Sequence, residues 1–221
     1  MRKIGLAPDG KGGLQLTEFP SAAKVIALEG AKAEQLAHWG SHDADLGHAQ
    51  CYLDALQKAE EQIVKEALFH SAIVRFCRCF AQGVRARLRE DEVYEDQVHG
   101  AFEAFQYFDD LRNKYIAHDV SPYAQCVPHA IVNKSEASRK IESVGCMSML
   151  SYTVNDGDID NLARLIKVAR EWIHRRFDSL ADEMQAELEV LSHEELLKRN
   201  ALQINVPTPA QVSSAKRQRR S

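Results

Sequence analysis

The chain has 221 residues, 45% apolar and 27% charged, a globular mixture that excludes a disordered, collagenous or membrane-embedded composition. Twenty-eight Lys+Arg against thirty-two Asp+Glu give a net charge of −4, which argues against a protein that coats long nucleic acids through bulk charge. Any nucleic-acid role must therefore be local. No run reaches the roughly 18 consecutive apolar residues of a membrane span, and the first thirty residues lack the pattern of a secretory signal, so a cytoplasmic protein without a membrane partner is expected. Five scattered cysteines, Cys51, Cys77, Cys79, Cys126 and Cys146, show neither a disulfide framework nor zinc spacing. They are expected to be reduced, mostly buried thiols.

The segment from Gly5 to Gly13 is rich in Gly, Pro, Asp and Lys and reads as flexible. Two short apolar pieces, Leu14–Phe19 and Ala23–Leu28, are too brief for periodicity to decide between strand and helix. Residues 1–40 are thus expected to be a peripheral segment. A helix is expected from Ser41 or Asp43 as cap, and no proline interrupts the chain until Pro122. On a helical wheel Phe69, Ile73, Phe76, Cys77, Phe80 and Val84 form one stripe, whereas Leu53, Leu56, Ile63 and Val64 face elsewhere. The buried face rotates near Ala67, which allows a kink, two helices, or one helix with different neighbours at its two ends. Gly83 and the charged Arg87–Glu92 stretch are expected to end it.

A further helix is expected from Glu95 to Ala117, with Val98, Phe102, Phe105, Phe108, Leu111, Tyr115 and Ile116 in one apolar sector and Ser121-Pro122 as its stop. Two extended pieces around a polar NKSEASRK turn predict a β-hairpin over about 124–155, with Pro128 on an edge. Asp156-Gly157-Asp158 supplies a turn and cap for a long helix in which Ile159, Leu162, Ile166, Ala169, Ile173, Phe177, Leu180, Met184, Leu188 and Leu191 recur at helical steps. Residues 201–221 read as a disordered basic tail ending on Lys216, Arg217, Arg219 and Arg220. The expected fold is mainly α: an antiparallel helical bundle over residues 41–200, with a small β-hairpin inserted before the last long helix.

The sharpest motif lies at the end of the third amphipathic stretch. On an α-helical wheel Arg112 falls between Phe105 and Phe108, and His118 beside Leu111, so both polar groups enter the apolar sector. A buried arginine must meet a carboxylate, backbone carbonyls or a ligand anion. A structural Arg–carboxylate pair is the plainer alternative. The string Leu111-Arg112-Asn113-Lys114-Tyr115-Ile116-Ala117-His118-Asp119 resembles the Arg-x(4–6)-His signature of the HEPN superfamily, with a polar residue after the arginine and Ala-His at the close. The likeness covers about Asp43–Ala117 and the last long helix.

That resemblance implies a metal-independent endoribonuclease without cofactor, working as a homodimer on RNA, in a toxin or abortive-infection setting with a possible antitoxin protein as partner. In an ideal α-helix, positions 112 and 118 differ by about 9 Å of rise and about 240° of rotation. One chain's Arg112 and His118 then need not converge, but a twofold dimer brings two of each to one cleft. RNA cleavage by its own 2′-OH needs a base, an acid and positive charge on the phosphorane, which two imidazoles and two guanidiniums can supply. Arg112 would clamp the phosphate, His118 would act as general base or acid, and Asn113 would support the helix end or the phosphate. Asp119 adjoins His118. Some toxin members carry a tyrosine two residues after the motif histidine, where a partner nucleotidyltransferase modifies them; this chain has Val120 there, and Tyr123 is out of register.

Five arginines and no acidic residue between Ala67 and Arg89 suggest an RNA-facing strip. Arg75 and Arg78 are its candidate phosphate contacts, joined by Lys114 in the motif. Arg85 and Arg89 share that side if the helix continues so far. The alternative is a solvated face or salt bridges to the acidic remainder. His38, His42, Asp43 and His48 do not match a helix-borne metal spacing, and Cys77-Arg78-Cys79 has no companion pair, so no metal site is expected. A second functional reading is a non-catalytic module that uses the same helices to bind a nucleotide or protein, with Arg112 in a structural ion pair.

Overall fold

The first long helix forms ten residues before its expected start. In the computed structural model, which describes residues 6–8, 14–16, 19, 21–95, 100–117, 124–151, 154–203 and 208–209, α1 spans Ala31–Leu56. Its opening sequence, AKAEQLA, consists of strong helix formers, and Gly30 at φ 95° marks the point where the chain turns into it. The boundary expected near residue 40 therefore falls inside a helix. Neither Ser41 nor Asp43 caps it: the Ser41 hydroxyl donates to the Ala37 carbonyl at 2.8 Å, and Asp43 is buried.

α2 spans Gln62–Arg78, so the rotation of the buried face reflects two helices separated by a turn. Leu53 and Leu56 are buried from α1, and Phe69, Ile73, Phe76 and Cys77 from α2, whereas Ile63 is 69% exposed. α2 stops well before Gly83. Beyond it, α3 is a single turn, Glu90–Val93. The expected helix from Glu95 begins instead as α4, Ala101–Asp110, behind Gly100 at φ 107°, a left-handed conformation that a side chain at this position would strain.

The strands among the described residues form two antiparallel hairpins. β1 (Leu6–Pro8) pairs with β2 (Leu14–Leu16), so part of the expected flexible opening is a strand. β3 (Ala124–Val132) pairs with β4 (Ile141–Leu150) as the ribbon that the sequence predicts. α5 runs Asp156–Glu189. Its cap is Asn155, whose Oδ1 accepts from the Asp158 backbone at 2.9 Å; Asp156 and Asp158 form the first helical turn. α6 (His193–Lys198) opens on a capping box between Ser192 and Glu195. No helix among the described residues is long and apolar enough to cross a membrane.

The chain divides into two compact units. One unit holds the described residues of Ala44–Ala81 and Leu88–Ala169 and most of the core. Phe69, Ile73 and Phe76 of α2, Phe108 of α4, and Leu162 and Ile166 of α5 are fully enclosed. The rings meet edge to face, with Phe80–Phe105 centroids at 4.8 Å and Phe69–Phe108 at 6.4 Å. Tyr94 is buried beside them and donates to the Leu165 carbonyl at 3.2 Å.

The other unit holds the described residues of Met1–Asp43, Gln82–Arg87 and Arg170–Ser221. Lys24 donates to the carbonyls of Leu197 and Arg199 at 2.8 and 2.6 Å, which satisfies the C-terminal end of α6. Buried Asp43 accepts from Arg170 Nε at 2.9 Å and His174 Nε2 at 2.8 Å, both presented by α5. Burial pushes the Asp43 carboxyl up, but those two hydrogen bonds outweigh it and leave the carboxyl below its ordinary 3.8. A carboxylate with a depressed folded value stabilises the fold above its unfolded value, and that contribution is lost as pH falls through the folded one. Asp43→Asn is expected to cost about 3 kcal/mol at neutral pH. Urea unfolding should show the wild type losing this advantage over the variant as pH falls below the carboxyl's ordinary 3.8.

Candidate functional site

The motif does not continue α4 as an α-helix. Residues Leu111–Ile116 form a π-helix, and the Ala117 amide reaches back five residues to the Arg112 carbonyl at 2.9 Å. A wider turn absorbs one extra residue and shifts every following side chain around the axis. Ideal α-helical rotation therefore does not hold across Leu111–Ile116. Such π segments occur preferentially where a side chain must be re-aimed.

Arg112 is half-buried in the π-helix, rather than enclosed in the apolar sector. Its Nη1 donates to Asn113 Oδ1, and Asn113 Nδ2 donates in turn to Asp109 Oδ2 at 2.9 Å. The guanidinium is thus oriented by a neutral amide that is itself anchored by a carboxylate. Burial holds the Asp109 carboxyl above its ordinary range, and the Arg112 charge opposes that shift. Behind the motif, burial pushes the Cys77 thiol far above the usual range, with Asp109 adding to the shift and Arg112 opposing it. Its Sγ donates to the Phe108 carbonyl at 3.6 Å. Cys77 is a packing residue, as expected. Cys79 is also buried, but Cys51, Cys126 and Cys146 are exposed, so the expectation of mostly buried thiols holds for only two of five.

The other candidates have different surroundings. Lys114 pairs with Asp110 at 3.0 Å on the exposed side of the turn, a contact of little energetic weight. Arg75 and Arg78 converge on the buried carboxylate of Asp45 in α1: Arg75 Nη1 lies 2.7 Å from Oδ1 and Arg78 Nε 3.7 Å from Oδ2. The continuous strip does not form, because α2 ends at Arg78. Arg85 lies beyond the helix, and Arg89 pairs with Asp91 at 2.6 Å. His118, Asp119, Val120 and Tyr123 lie outside the described residues, as does the basic end of the tail.

Three neighbours of the motif escaped the sequence reading. Asp109 anchors Asn113, and their four-residue spacing was its only signal. His70 of α2 packs edge-on against Tyr115 of the π-helix, with ring centroids 5.4 Å apart. Glu66, one turn before His70, lies 3.3 Å from its Nε2. Burial lowers the His70 value below its ordinary 6.5 despite the Glu66 charge, so its imidazole is neutral at pH 7. Nothing in a linear reading relates residue 70 to residue 115; the packing of α2 on the motif does.

Among the described residues no group of three or more His, Cys, Asp or Glu side chains is arranged to hold a metal ion. His42 Nε2 instead lies 2.8 Å from the Ala86 carbonyl, and Asp43 is engaged by α5 as described above. The chain matches no family model, and no curated protein or solved structure is significantly similar to it.

Proposed function

We propose that the chain is a HEPN-like, metal-independent endoribonuclease that acts as a homodimer in a toxin or phage-defence setting. The observation that carries this reading is the half-exposed Arg112 guanidinium, held by the Asn113–Asp109 relay within a π-turn of the Arg-Asn-Lys-Tyr-Ile-Ala-His string. A guanidinium held by an amide keeps its charge for an incoming phosphate, whereas one locked to a carboxylate would not.

In this mechanism Arg112 clamps the scissile phosphate and stabilises the charge on the phosphorane. His118 from one protomer takes the proton of the ribose 2′-OH, the 2′ oxygen attacks phosphorus, and His118 of the other protomer protonates the departing 5′ oxygen. The products are a 2′,3′-cyclic phosphate and a free 5′-OH. Asn113 is a positioning residue for Arg112. Arg78, 58% exposed and only loosely paired with Asp45, and Lys114 provide outer phosphate contacts; Arg75 is taken up by Asp45. An antitoxin protein is the further partner this setting implies.

The test is incubation of the purified chain with total RNA and transfer RNA in EDTA, with the fragment ends identified. Cleavage that survives EDTA and leaves 2′,3′-cyclic phosphate is the expected result. Intact RNA from a protein shown to be dimeric would favour the binding module instead.

A further inference from the structure

The β3–β4 ribbon has two chemically unlike edges. β3 carries Pro128 at its centre, opposite Cys146 of β4. Proline has no N–H to give, so this pair occupies a position where backbone groups point away from the ladder. The outer edge of β3 therefore lacks a donor at its middle, a common device against further pairing. By the same alternation the amides of Val144, Cys146 and Ser148 point outward from β4. That edge has no proline along its ten residues.

The side chains match this asymmetry. β3 has no Asp, Glu, Lys or Arg, and β4 has only Glu142, next to the turn. Val144, Met147 and Met149 of β4 are 77%, 65% and 57% exposed. From the register, Val127 and Met147 are direct neighbours on one face, and Ile131 and Met149 lie on the same face. An uncharged strand offers little to a nucleic acid or an acidic peptide, whose recognition requires charge. It suits a strand of the same character.

We propose that β4 pairs antiparallel with β4 of a second copy, making a four-stranded sheet across a twofold axis. The closure follows from the edges: the two β3 strands become the outer strands, each blunted by Pro128, so assembly stops at two copies instead of growing into a fibre. Two ten-residue strands exchange roughly eight backbone hydrogen bonds, close to the number in a standard protein interface. The twofold places the Val127, Ile131, Met147 and Met149 side chains of both copies on one continuous face. This contact rests on the ribonuclease reading in one respect, since it names the interface of the homodimer proposed there; the chemistry is tested on RNA fragments and the contact on mass, so the two can fail separately.

The experiment is sedimentation of the full chain at about 50 μM, far above the dissociation constants of standard interfaces, with backbone amide exchange measured over a concentration series. The wild type is expected to be a dimer, with the Val144, Cys146 and Ser148 amides increasingly protected as concentration rises. Val144→Lys, at a side chain that is exposed in the monomer, should weaken dimerisation by about 100-fold through like charges meeting across the axis. Cys146→Pro removes an outward donor, repeating on β4 what Pro128 does on β3, and should likewise give a monomer with unchanged helical circular dichroism. A monomeric wild type, a dimer that survives Val144→Lys, or protection of those amides that is indifferent to concentration would each overturn the proposal.

Discussion

Arg112→Ala is expected to lower kcat/KM for RNA cleavage by about 10²–10³-fold, the usual loss on removing one donor aimed at developing transition-state charge. Its effect on stability should be small. The guanidinium is half-buried and its side-chain partner is the amide of Asn113, so truncation removes a hydrogen bond to a charged group, worth about 1.5–3 kcal/mol at most. Had Arg112 formed a buried ion pair, the same substitution would cost about 3–5 kcal/mol and leave a charge stranded. Arg112→Lys keeps the charge but loses the planar fork and the bond geometry to Asn113, and should recover only part of the rate. Asn113→Ala leaves the guanidinium present but unanchored, and is expected to fall between Arg112→Lys and wild type. His118→Ala should be as damaging as Arg112→Ala, since it removes both base and acid from a symmetric cleft. Steady-state kinetics on an oligoribonucleotide, paired with urea unfolding of each variant, separate these effects. A large stability loss for Arg112→Ala in a wild type without turnover would establish the structural ion pair of the binding-module reading.

The largest stability effect is expected at Phe108→Ala, at about 3–5 kcal/mol. Phe108 is fully enclosed, meets Phe69 edge to face and lies against the neighbouring Tyr107 ring at 5.2 Å. Its carbonyl accepts from Cys77 Sγ. The ring pins the last turn of α4 on α2, immediately before the π-helix begins. Removing it leaves a cavity and frees the segment that holds Asp109, Arg112 and Asn113. Phe108→Leu keeps much of the volume and should cost less, while still loosening the turn. Chemical denaturation measures the first effect. A lower kcat in Phe108→Leu under conditions where the fold remains intact measures the second, because a structural anchor of the motif changes rate and stability together.

Much of this architecture follows from periodicity. Ile159, Leu162, Ile166, Ala169 and Ile173 recur at helical steps and are buried in α5; the 133–140 turn and Pro128 place the ribbon correctly. These features are local: a repeat of 3.6 or of 2, or a residue that lacks an N–H, acts through near neighbours in the chain. The errors have local reasons too. Ser41 and Asp43 have cap chemistry, yet the AKAEQLA run ahead of them has nothing that stops a helix, so α1 starts at Ala31. Asp156 and Asp158 also have cap chemistry, but Asn155, just ahead of them, takes that place in α5.

What the sequence by itself determined is the helical character, the ribbon, and the string that carries Arg112, Asn113 and His118. Tertiary structure alone decided that the motif turn is a π-helix, that Asp45 gathers Arg75 and Arg78, that Asp43 holds Arg170 and His174, and that His70 lies against Tyr115. The physical reason is range. Periodicity and capping operate over a few residues, whereas an ion pair between residues 43 and 170 or a ring contact between residues 70 and 115 forms only once packed helices bring distant positions together. A one-residue expansion of a helical turn leaves the spacing in the sequence unchanged while redirecting the side chains that follow it.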